Sequence, residues 1–451
     1  MKKLLIFICV FSSSAWANLH LAPPDFNTPS GRAIFVDFKK AEYEITYDFF
    51  RLSAIVKSRI TFVAESHGRP VFDLLPEPSV VKINGEVVGA TASALPGNVS
   101  VVRIANQEVS PGEHVLEVEN TFRKNLLFHP IQRAVSSAFW IRDLRDRMFL
   151  EQYLPSNFEY DQYKIVMDVK VKLLGSARQD IYANGVVEKI GKNHWQIEFP
   201  DYFTVSCLYF HMTPKGRMFR EDFTYRSLSG RDIPMTTYSG LSPIQARNFK
   251  KYAIEVMEEL ERDYGPWAHP GFIAYATLPG TGGMEHAGAT QTSLAALDHE
   301  MLHSYFAKGI MPANGNSGWI DEGIAAWRDR GYKRLPDPGF KGSDLGNHSV
   351  YKRNTDSRAY VLGSAFMAYL DWRLQDMGGL KAFLKGYFAA YKHQVVNTLH
   401  FKNNLEFFSG LNLDDEFETY IWGENSLDVK NLEPANPYHQ PVSDGILKQL
   451  L

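Results

Sequence analysis

Two histidines spaced four residues apart give the strongest chemical signal in the sequence. His299 and His303 enclose Glu300 in the pentad His-Glu-Met-Leu-His. On a helix this spacing places both imidazoles on one face, one turn apart. Two such rings can bind one zinc ion, and Glu300 is then placed to act as general base on a water molecule at that ion. The pentad therefore predicts a catalytic zinc site. The alternative, a buried helix that carries these polar groups without a ligand, is energetically costly.

A catalytic zinc ion needs a third protein ligand and one open position. Glu322 follows His303 after eighteen intervening residues, within a second predicted helix at Trp319–Trp327. We expect one zinc ion per chain, bound by His299, His303 and Glu322. Asp298 or Asp321 is expected to accept a hydrogen bond from a ligating histidine and so orient it.

The pentad, its spacing to Glu322 and the segment Trp-Ile-Asp-Glu-Gly-Ile-Ala at 319–325 resemble one family. This family is the gluzincin zinc metallopeptidases of the aminopeptidase N (membrane alanyl aminopeptidase) type, in which the segment reads W-L-N-E-G-F-A. The resemblance covers residues 280–425 well and the preceding residues loosely. It implies zinc-dependent hydrolysis of peptide bonds. About thirty residues follow Trp422, so the resemblance is to a short form that lacks the family's large C-terminal helical domain.

A short segment that precedes the pentad is implied to bind substrate. Gly283, Met284, Glu285 and His286 resemble the last four residues of the family's G-A-M-E-N motif. The resemblance implies that this strand pairs with the substrate backbone and that Glu285 binds the free α-amine of a peptide. His286 stands where the family has Asn, which we expect to alter the first substrate pocket. Without the resemblance, the segment is equally well explained as an edge strand with an exposed Glu.

The family's second amine-binding residue has no counterpart here. Its position falls near Phe139, where the sequence has no acid or amide. Asp143 and Glu151 are the nearby acids that could substitute. The resemblance therefore implies hydrolysis without implying strict aminopeptidase specificity.

A tyrosine is implied to stabilise the oxyanion of the tetrahedral intermediate. Tyr360 and Gly363 match the family's Y-x-x-G motif. A phenol suits this role because it donates one hydrogen bond and stays neutral at pH 7. Tyr351 and Tyr369 are the rival candidates, and the spacing of Tyr369 from Phe366 favours a core position for it.

The N-terminus has the pattern of a cleaved export signal. Lys2 and Lys3 precede a short apolar run, and Ala15-Trp16-Ala17 matches a cleavage site. Removal of this segment changes the formal net charge from −3 to −5, which disfavours a nucleic-acid partner. It also leaves Cys207 as the single cysteine, so no internal disulfide forms. We therefore expect an exported protein, most simply in the bacterial periplasm, with no transmembrane segment.

The 451 residues are too many for one ordinary core, and their periodicity changes near residue 241. Short alternating segments up to that point, among them Phe203–His211, predict an antiparallel β-sandwich or saddle. Longer helical patterns follow. The predicted domains are a signal peptide at 1–17, a β-domain at 18–240, a thermolysin-like, mainly α-helical zinc peptidase domain at 241–430, and a tail at 431–451.

Within the second domain, the predicted elements position the pentad. A helix is predicted at Pro243–Tyr264, a buried strand at Phe272–Ala276 and an edge strand at Met284–Thr290. The zinc helix is predicted from Thr292 to Lys308, and a polar surface loop spans residues 336–356.

The sequence thus predicts a zinc metallopeptidase, in the first instance an aminopeptidase acting on peptides in the periplasm. Two alternatives stay open. One is a zinc endopeptidase or a processor of cell-wall peptides. The other is a catalytically silent peptide-binding protein, which the presence of Glu300 and Tyr360 disfavours.

Overall fold

The computed structural model describes residues 18–98, 100–139, 150–173 and 177–423. The predicted signal peptide, Asp143 and the predicted tail lie outside the described residues. No helix in the described ranges is both long enough and apolar enough to cross a bilayer.

The first part of the chain consists almost entirely of strands. Their bounds are β1 (Phe26–Thr28), β2 (Gly31–Ile34), β3 (Asp37–Asp48), β4 (Ser53–Ala64), β5 (Arg69–Phe72), β6 (Val80–Ile83), β7 (Glu86–Val87), β8 (Ala90–Ala94), β9 (Val101–Ala105), β10 (Gly112–Phe122), β11 (Leu126–His129), β12 (Ala134–Ala138), β13 (Lys164–Lys172), β14 (Gln179–Ala183), β15 (Val186–Gly191), β16 (His194–Glu198) and β17 (Phe210–Pro214).

These strands form three sheets. The largest has the order β15-β16-β13-β3-β4-β10-β6-β7, beside a five-stranded sheet β1-β2-β5-β9-β8 and a four-stranded sheet β11-β12-β17-β14. Alternate residues of β13 are buried, which is the pattern of a sheet with one face on a core. The predicted β-rich first part is therefore confirmed.

Two details of that first part differ from expectation. The largest sheet is mixed rather than antiparallel, because β13 pairs parallel to β3 after a long crossover. The predicted strand at Phe203–His211 is wrong. A 3-10 turn at Val205–Cys207 interrupts it, and the strand β17 begins at Phe210.

The second part of the chain combines a small sheet with helices. Its strands are β18 (Phe219–Arg226), β19 (Asp232–Ser239), β20 (Phe272–Ala276), β21 (Met284–His286), β22 (Ala289–Thr292), β23 (Met311–Pro312) and β24 (Val395–Val396). Its helices are α1 (Pro243–Tyr264), α2 (Leu297–Leu302), α3 (Trp319–Asp329), α4 (Leu362–Arg373), α5 (Gly379–Tyr391), α6 (Thr398–Ser409) and α7 (Asp414–Phe417).

The helix α1 and the strand β20 have the predicted bounds. Pro243 starts α1 after the N-cap Ser242, whose side chain accepts a hydrogen bond from the backbone of Gln245. Gly265 ends the helix with a positive φ. The strand β20 pairs with β19, so the sheet β18-β19-β20-β22-β21 spans the predicted domain boundary at 240/241.

The predicted edge strand at Met284–Thr290 is a hairpin. The strands β21 and β22 pair antiparallel, and Gly288 turns the chain between them with φ 63°. The strand β21 lies at the edge of its sheet, beside the helix that carries the pentad.

The zinc helix is shorter than predicted. The helix α2 contains six residues, preceded by a 3-10 turn at Leu294–Ala296. The chain then leaves the helix in a tight turn, in which Ala307 has φ 143° and the Lys308 N–H donates to the His303 carbonyl. His303 itself keeps helical dihedrals as the C-cap, so the four-residue spacing still places both histidines on one face.

Candidate metal and catalytic site

Three side chains meet at one point on the wall of a cavity. One possible ligand atom from each of His299, His303 and Glu322 lies within 4.8 Å of the other two. The two histidine Nε2 atoms face each other at 3.2 Å, and Glu322 Oε2 lies 3.6 and 3.5 Å from them. The structure thus brings together the three residues that the sequence predicted as ligands.

The donor set fits a zinc ion. Two imidazole nitrogens and one carboxylate oxygen are three ligands of the kind found in catalytic zinc sites. Glu322 Oε2 is buried and has no hydrogen-bond partner among the described residues. Burial alone would raise the pKa of Glu322, yet His303 and His299 hold it well below its usual range. A buried carboxylate whose unpartnered oxygen faces two imidazole nitrogens is suited to bind a cation among them.

A neighbouring aspartate orients one of the two histidines. His299 Nδ1 donates to Asp329 Oδ2 at 2.6 Å, which leaves Nε2 directed at the shared centre. His303 Nδ1 donates to the backbone carbonyl of Phe306 at 3.2 Å. The expected acceptors were Asp298 or Asp321, and neither of them forms these bonds.

Asp329 was not among the residues predicted from the sequence. It lies seven residues after Glu322 on α3, two helical turns along the same face. That spacing was the available signal.

Asp298 and Asp321 stabilise the surrounding helices. Asp298 Oδ2 accepts from Arg328 at 2.9 Å, and Arg328 also binds Glu259 in a bidentate pair. This network joins α1, α2 and α3. Asp321 Oδ1 accepts from the backbone N–H of Glu322 at 2.6 Å.

Two glycines bring Tyr360 to Glu322, the third predicted ligand. The helices α3 and α4 cross closely, and a Cβ on Gly323 would lie 3.1 Å from the Gly363 carbonyl carbon. Both glycines belong to the motifs that the sequence singled out, and their missing side chains permit this approach. Tyr360 ends a 3-10 turn before α4, and its hydroxyl donates to Glu322 Oε1 at 2.8 Å.

The rival tyrosines lie elsewhere. The Tyr351 hydroxyl donates to the Pro24 carbonyl. Tyr369 packs beside Phe366, as its spacing indicated, and its hydroxyl donates to Glu416.

The cavity has a volume of about 770 Å³. The strand β21 and the loop before it form one wall, through Gly283, Met284 and Glu285, and the ligand residues with Glu300 and Tyr360 form another. Glu300 is buried and faces Gly283 on the strand wall, and its pKa is raised by burial and by the neighbouring Glu285 charge. A Cβ on Gly283 would overlap the Glu300 carboxylate, so the glycine leaves room for it.

His286 does not line this cavity. Its fully buried ring packs edge-on against Tyr209, on the opposite side of β21 from the cleft. Alternation along the strand explains the difference, because Glu285 and His286 must point to opposite faces. Because His286 does not contact the cavity, its expected effect on the first substrate pocket is not supported.

Glu151, the candidate second amine-binding residue within the described part of the chain, does not line the cavity either. The Phe139 ring stacks on Tyr153, and Glu151 pairs with Arg353. Among the described residues that line the cavity, the carboxylates are Glu285, Glu300 and Glu322.

Comparison with known proteins gives structural matches alone. No family model and no curated protein sequence matches the chain. Legionella pneumophila aminopeptidase A in complex with aspartic acid superposes with a TM-score of 0.63 at 14% identity, over 86% of this chain and 50% of that one. The present chain thus spans about half the length of that protein.

Two shorter proteins match over most of their length. An M1 zinc metallopeptidase from Deinococcus radiodurans gives a TM-score of 0.58 at 16% identity, over 83% of this chain and 91% of that one. Native leukotriene A4 hydrolase from Saccharomyces cerevisiae gives 0.60 at 12% identity, over 90% and 69%. The chain has the fold of the M1 zinc metallopeptidases.

Proposed function

We propose that this protein is a zinc-dependent metallopeptidase that hydrolyses peptide bonds. The observation that carries the proposal is the convergence of His299, His303 and Glu322 on the wall of a cavity that also contains Glu300. Proteins with this fold and a similar length include an M1 zinc metallopeptidase. The second part of the chain is then a thermolysin-like peptidase unit of the gluzincin kind.

Each residue at the site has a separate task. Zinc, when bound by His299, His303 and Glu322, supplies a Lewis acid that activates water and polarises a carbonyl group. Glu300 accepts the proton of the attacking water and passes it to the leaving amine. The Tyr360 hydroxyl, which donates to Glu322 Oε1 in this structure, redirects that hydrogen bond to the carbonyl oxygen as the oxygen becomes anionic.

Two modes of action are compatible with the site, and the first is removal of N-terminal residues from peptides. Glu285 lies on the strand wall of the cavity, where a carboxylate can bind the amine of a peptide laid along β21. We place this activity in the bacterial periplasm, on the basis of the export pattern at residues 1–17. Cleavage within peptides, including cell-wall peptides, is the second candidate, favoured by the pairing of Glu285 with Lys308.

Metal analysis tests the proposal first. We expect one zinc ion per chain, loss of hydrolysis on chelation and its recovery on addition of zinc. Glu322→Gln is expected to lower zinc affinity by more than about 100-fold. Mutation of residues that only hydrogen-bond to metal ligands already lowers metal affinity by about 10–100-fold, and Glu322 is itself a proposed ligand. Zinc content by elemental analysis and cleavage of a peptide library are the measurements.

Glu255→Gln is the matched control for that experiment. Glu255 lies exposed on α1, paired with Lys251, and this variant is expected to keep its zinc. One bound zinc without hydrolysis of any library peptide would favour the silent peptide-binding protein. Undiminished zinc affinity in Glu322→Gln would contradict the assigned ligand set.

Tyr360→Phe tests the role of the phenol. We expect kcat to fall by about 100- to 1,000-fold, the usual cost of one oxyanion donor, while KM changes little. Steady-state kinetics on a hydrolysed peptide measure both parameters. Tyr369→Phe removes a hydroxyl of the same type remote from the cleft and is the control. Equal kcat in the two variants would remove Tyr360 from catalysis.

A further inference from the structure

A buried lysine lies behind the strand wall of the cavity. Lys308 is 2% exposed and follows Ala307, whose φ of 143° is a strained conformation for a residue with a side chain. The turn that contains both residues begins directly after the ligand His303. The backbone hydrogen bond from Lys308 to the His303 carbonyl closes this turn at 2.8 Å.

The ammonium group of Lys308 pairs with Glu285. Lys308 Nζ lies 3.3 Å from Glu285 Oε1, and the two side chains are 3% and 6% exposed. Lys308 does not line the cavity, whereas Glu285 does. The lysine therefore reaches the carboxylate from the protein interior, and a substrate would approach it from the cleft.

His286 does not compete with Lys308 for Glu285. Burial and the nearby Lys308 charge lower the pKa of His286 to about 3, so its ring is neutral. Glu285 is thus the anion that the structure pairs with Lys308.

We propose that Lys308 is a specificity-determining residue: an internal counter-ion of Glu285 that lowers the selectivity of the site for a free N-terminal amine. This inference rests on the proposed peptidase function. Peptides with blocked N-termini, and internal segments of longer peptides, are then cleaved alongside free peptides.

The physical reason is charge balance. Binding of a substrate ammonium to a buried carboxylate without a partner is strongly favourable in free energy, because the carboxylate charge is otherwise uncompensated. Glu285 already has Lys308 as its partner, so the binding of a second ammonium contributes less favourable free energy. Among the described lining residues, the other carboxylates are Glu300 and Glu322. Both have other tasks in the proposed function, so neither replaces Glu285 as a binding group for the amine.

The experiment compares tripeptides supplied free and N-acetylated. For the intact protein, the ratio of kcat/KM between the two forms is expected within about fivefold of unity, the range of a weak ion pair. Lys308→Met leaves Glu285 uncompensated and is expected to raise the ratio in favour of free peptides by on the order of tenfold or more. In Glu285→Gln/Lys308→Met, the ratio should return to the value of the intact protein.

Lys402→Met is the matched control. Lys402 is also buried and ion-paired, with Glu406 and Asp414 on helices that do not line the cavity. In Lys402→Met, the ratio of kcat/KM between free and acetylated peptides should equal that of the intact protein. An unchanged ratio in a folded, zinc-containing Lys308→Met would overturn the inference.

A single substitution covers the case in which Lys308→Met does not fold. If Glu285 is already neutralised, Glu285→Gln changes the ratio by no more than about fivefold. A strong preference for free peptides that collapses in Glu285→Gln would show a working amine-binding residue and reject our proposal for Lys308.

Failure of the proposed function is a separate result. It appears as absence of hydrolysis of both peptide forms. The dissociation constants of the free and acetylated peptides, measured by calorimetry, then supply the same ratio and decide the role of Lys308.

Discussion

Replacement of Glu300 by Gln is expected to lower kcat by on the order of 100- to 10,000-fold while zinc content is retained. Glutamine has nearly the same shape but cannot accept a proton. Glu300 lines the same cavity as His299 and His303 but is not one of the three residues that converge at the candidate metal site. Loss of proton transfer with retained metal is therefore the expected signature of a general base.

Kinetics and elemental analysis on the same preparation check this result. The control is Glu255→Gln on α1, which changes the same functional groups on the exposed surface. Activity of Glu300→Gln within about tenfold of the intact protein, on every peptide that is hydrolysed, would lie below the range of general-base catalysis and refute the mechanism.

Local sequence was sufficient to predict which three side chains converge at the candidate metal site. The four-residue spacing of His299 and His303 survives although α2 is only six residues long, because His303 retains helical dihedrals. Glu322 was identified by its distance along the chain and its motif. These features depend on short-range geometry, which a sequence pattern encodes directly.

The parts that sequence did not predict are contacts between distant segments. The bond from His299 to Asp329 joins two helices, and the pairing of Lys308 with Glu285 joins a turn to a strand. The predicted length of α2 was wrong. The apolar pattern continues beyond Leu302 and favours a longer helix, but the chain turns after His303 and brings Lys308 to Glu285. Tertiary packing overrides local helix preference in such cases.

The same limit applies to the loop at residues 336–356. It contains no helix or strand, as predicted, but it is not wholly a surface loop. Arg353 is 7% exposed and extends toward the first part of the chain. Its guanidinium lies 3.0 Å from Asp73, 3.5 Å from Glu151 and 3.3 Å from Glu159. Three buried carboxylates thus surround one cation at the junction of the β-rich and helical parts.

This cluster makes stability depend on pH. Burial raises the pKa of Asp73 to about 7 and that of Glu151 to about 8, although the Arg353 charge opposes both shifts and the neighbouring carboxylates add to them. In the unfolded chain these groups titrate near pH 4. The folded protein therefore binds more protons between about pH 4 and pH 8, and its stability falls as pH rises through that window.

Arg353→Met is expected to lower the free energy of unfolding by about 3–5 kcal/mol at pH 8, because it leaves buried carboxylates without a counter-ion. At pH 5 the loss should be smaller, since protonated Asp73 and Glu151 need no cation. Urea denaturation at the two pH values measures the difference. Glu151→Gln, added to Arg353→Met, should recover part of the stability at pH 8 by removing one of the uncompensated charges.

The exposed pair Arg59–Glu117 provides the control. Its atoms lie 2.9 Å apart, but the side chains are 57% and 32% exposed. Arg59→Met should cost less than about 1 kcal/mol, with little change between pH 5 and pH 8. A loss in Arg353→Met that matches this control, or that is equal at both pH values, would show that the three carboxylates do not depend on Arg353. A larger loss at pH 8 would instead identify Arg353 as the counter-ion that stabilises the junction between the two parts of the chain.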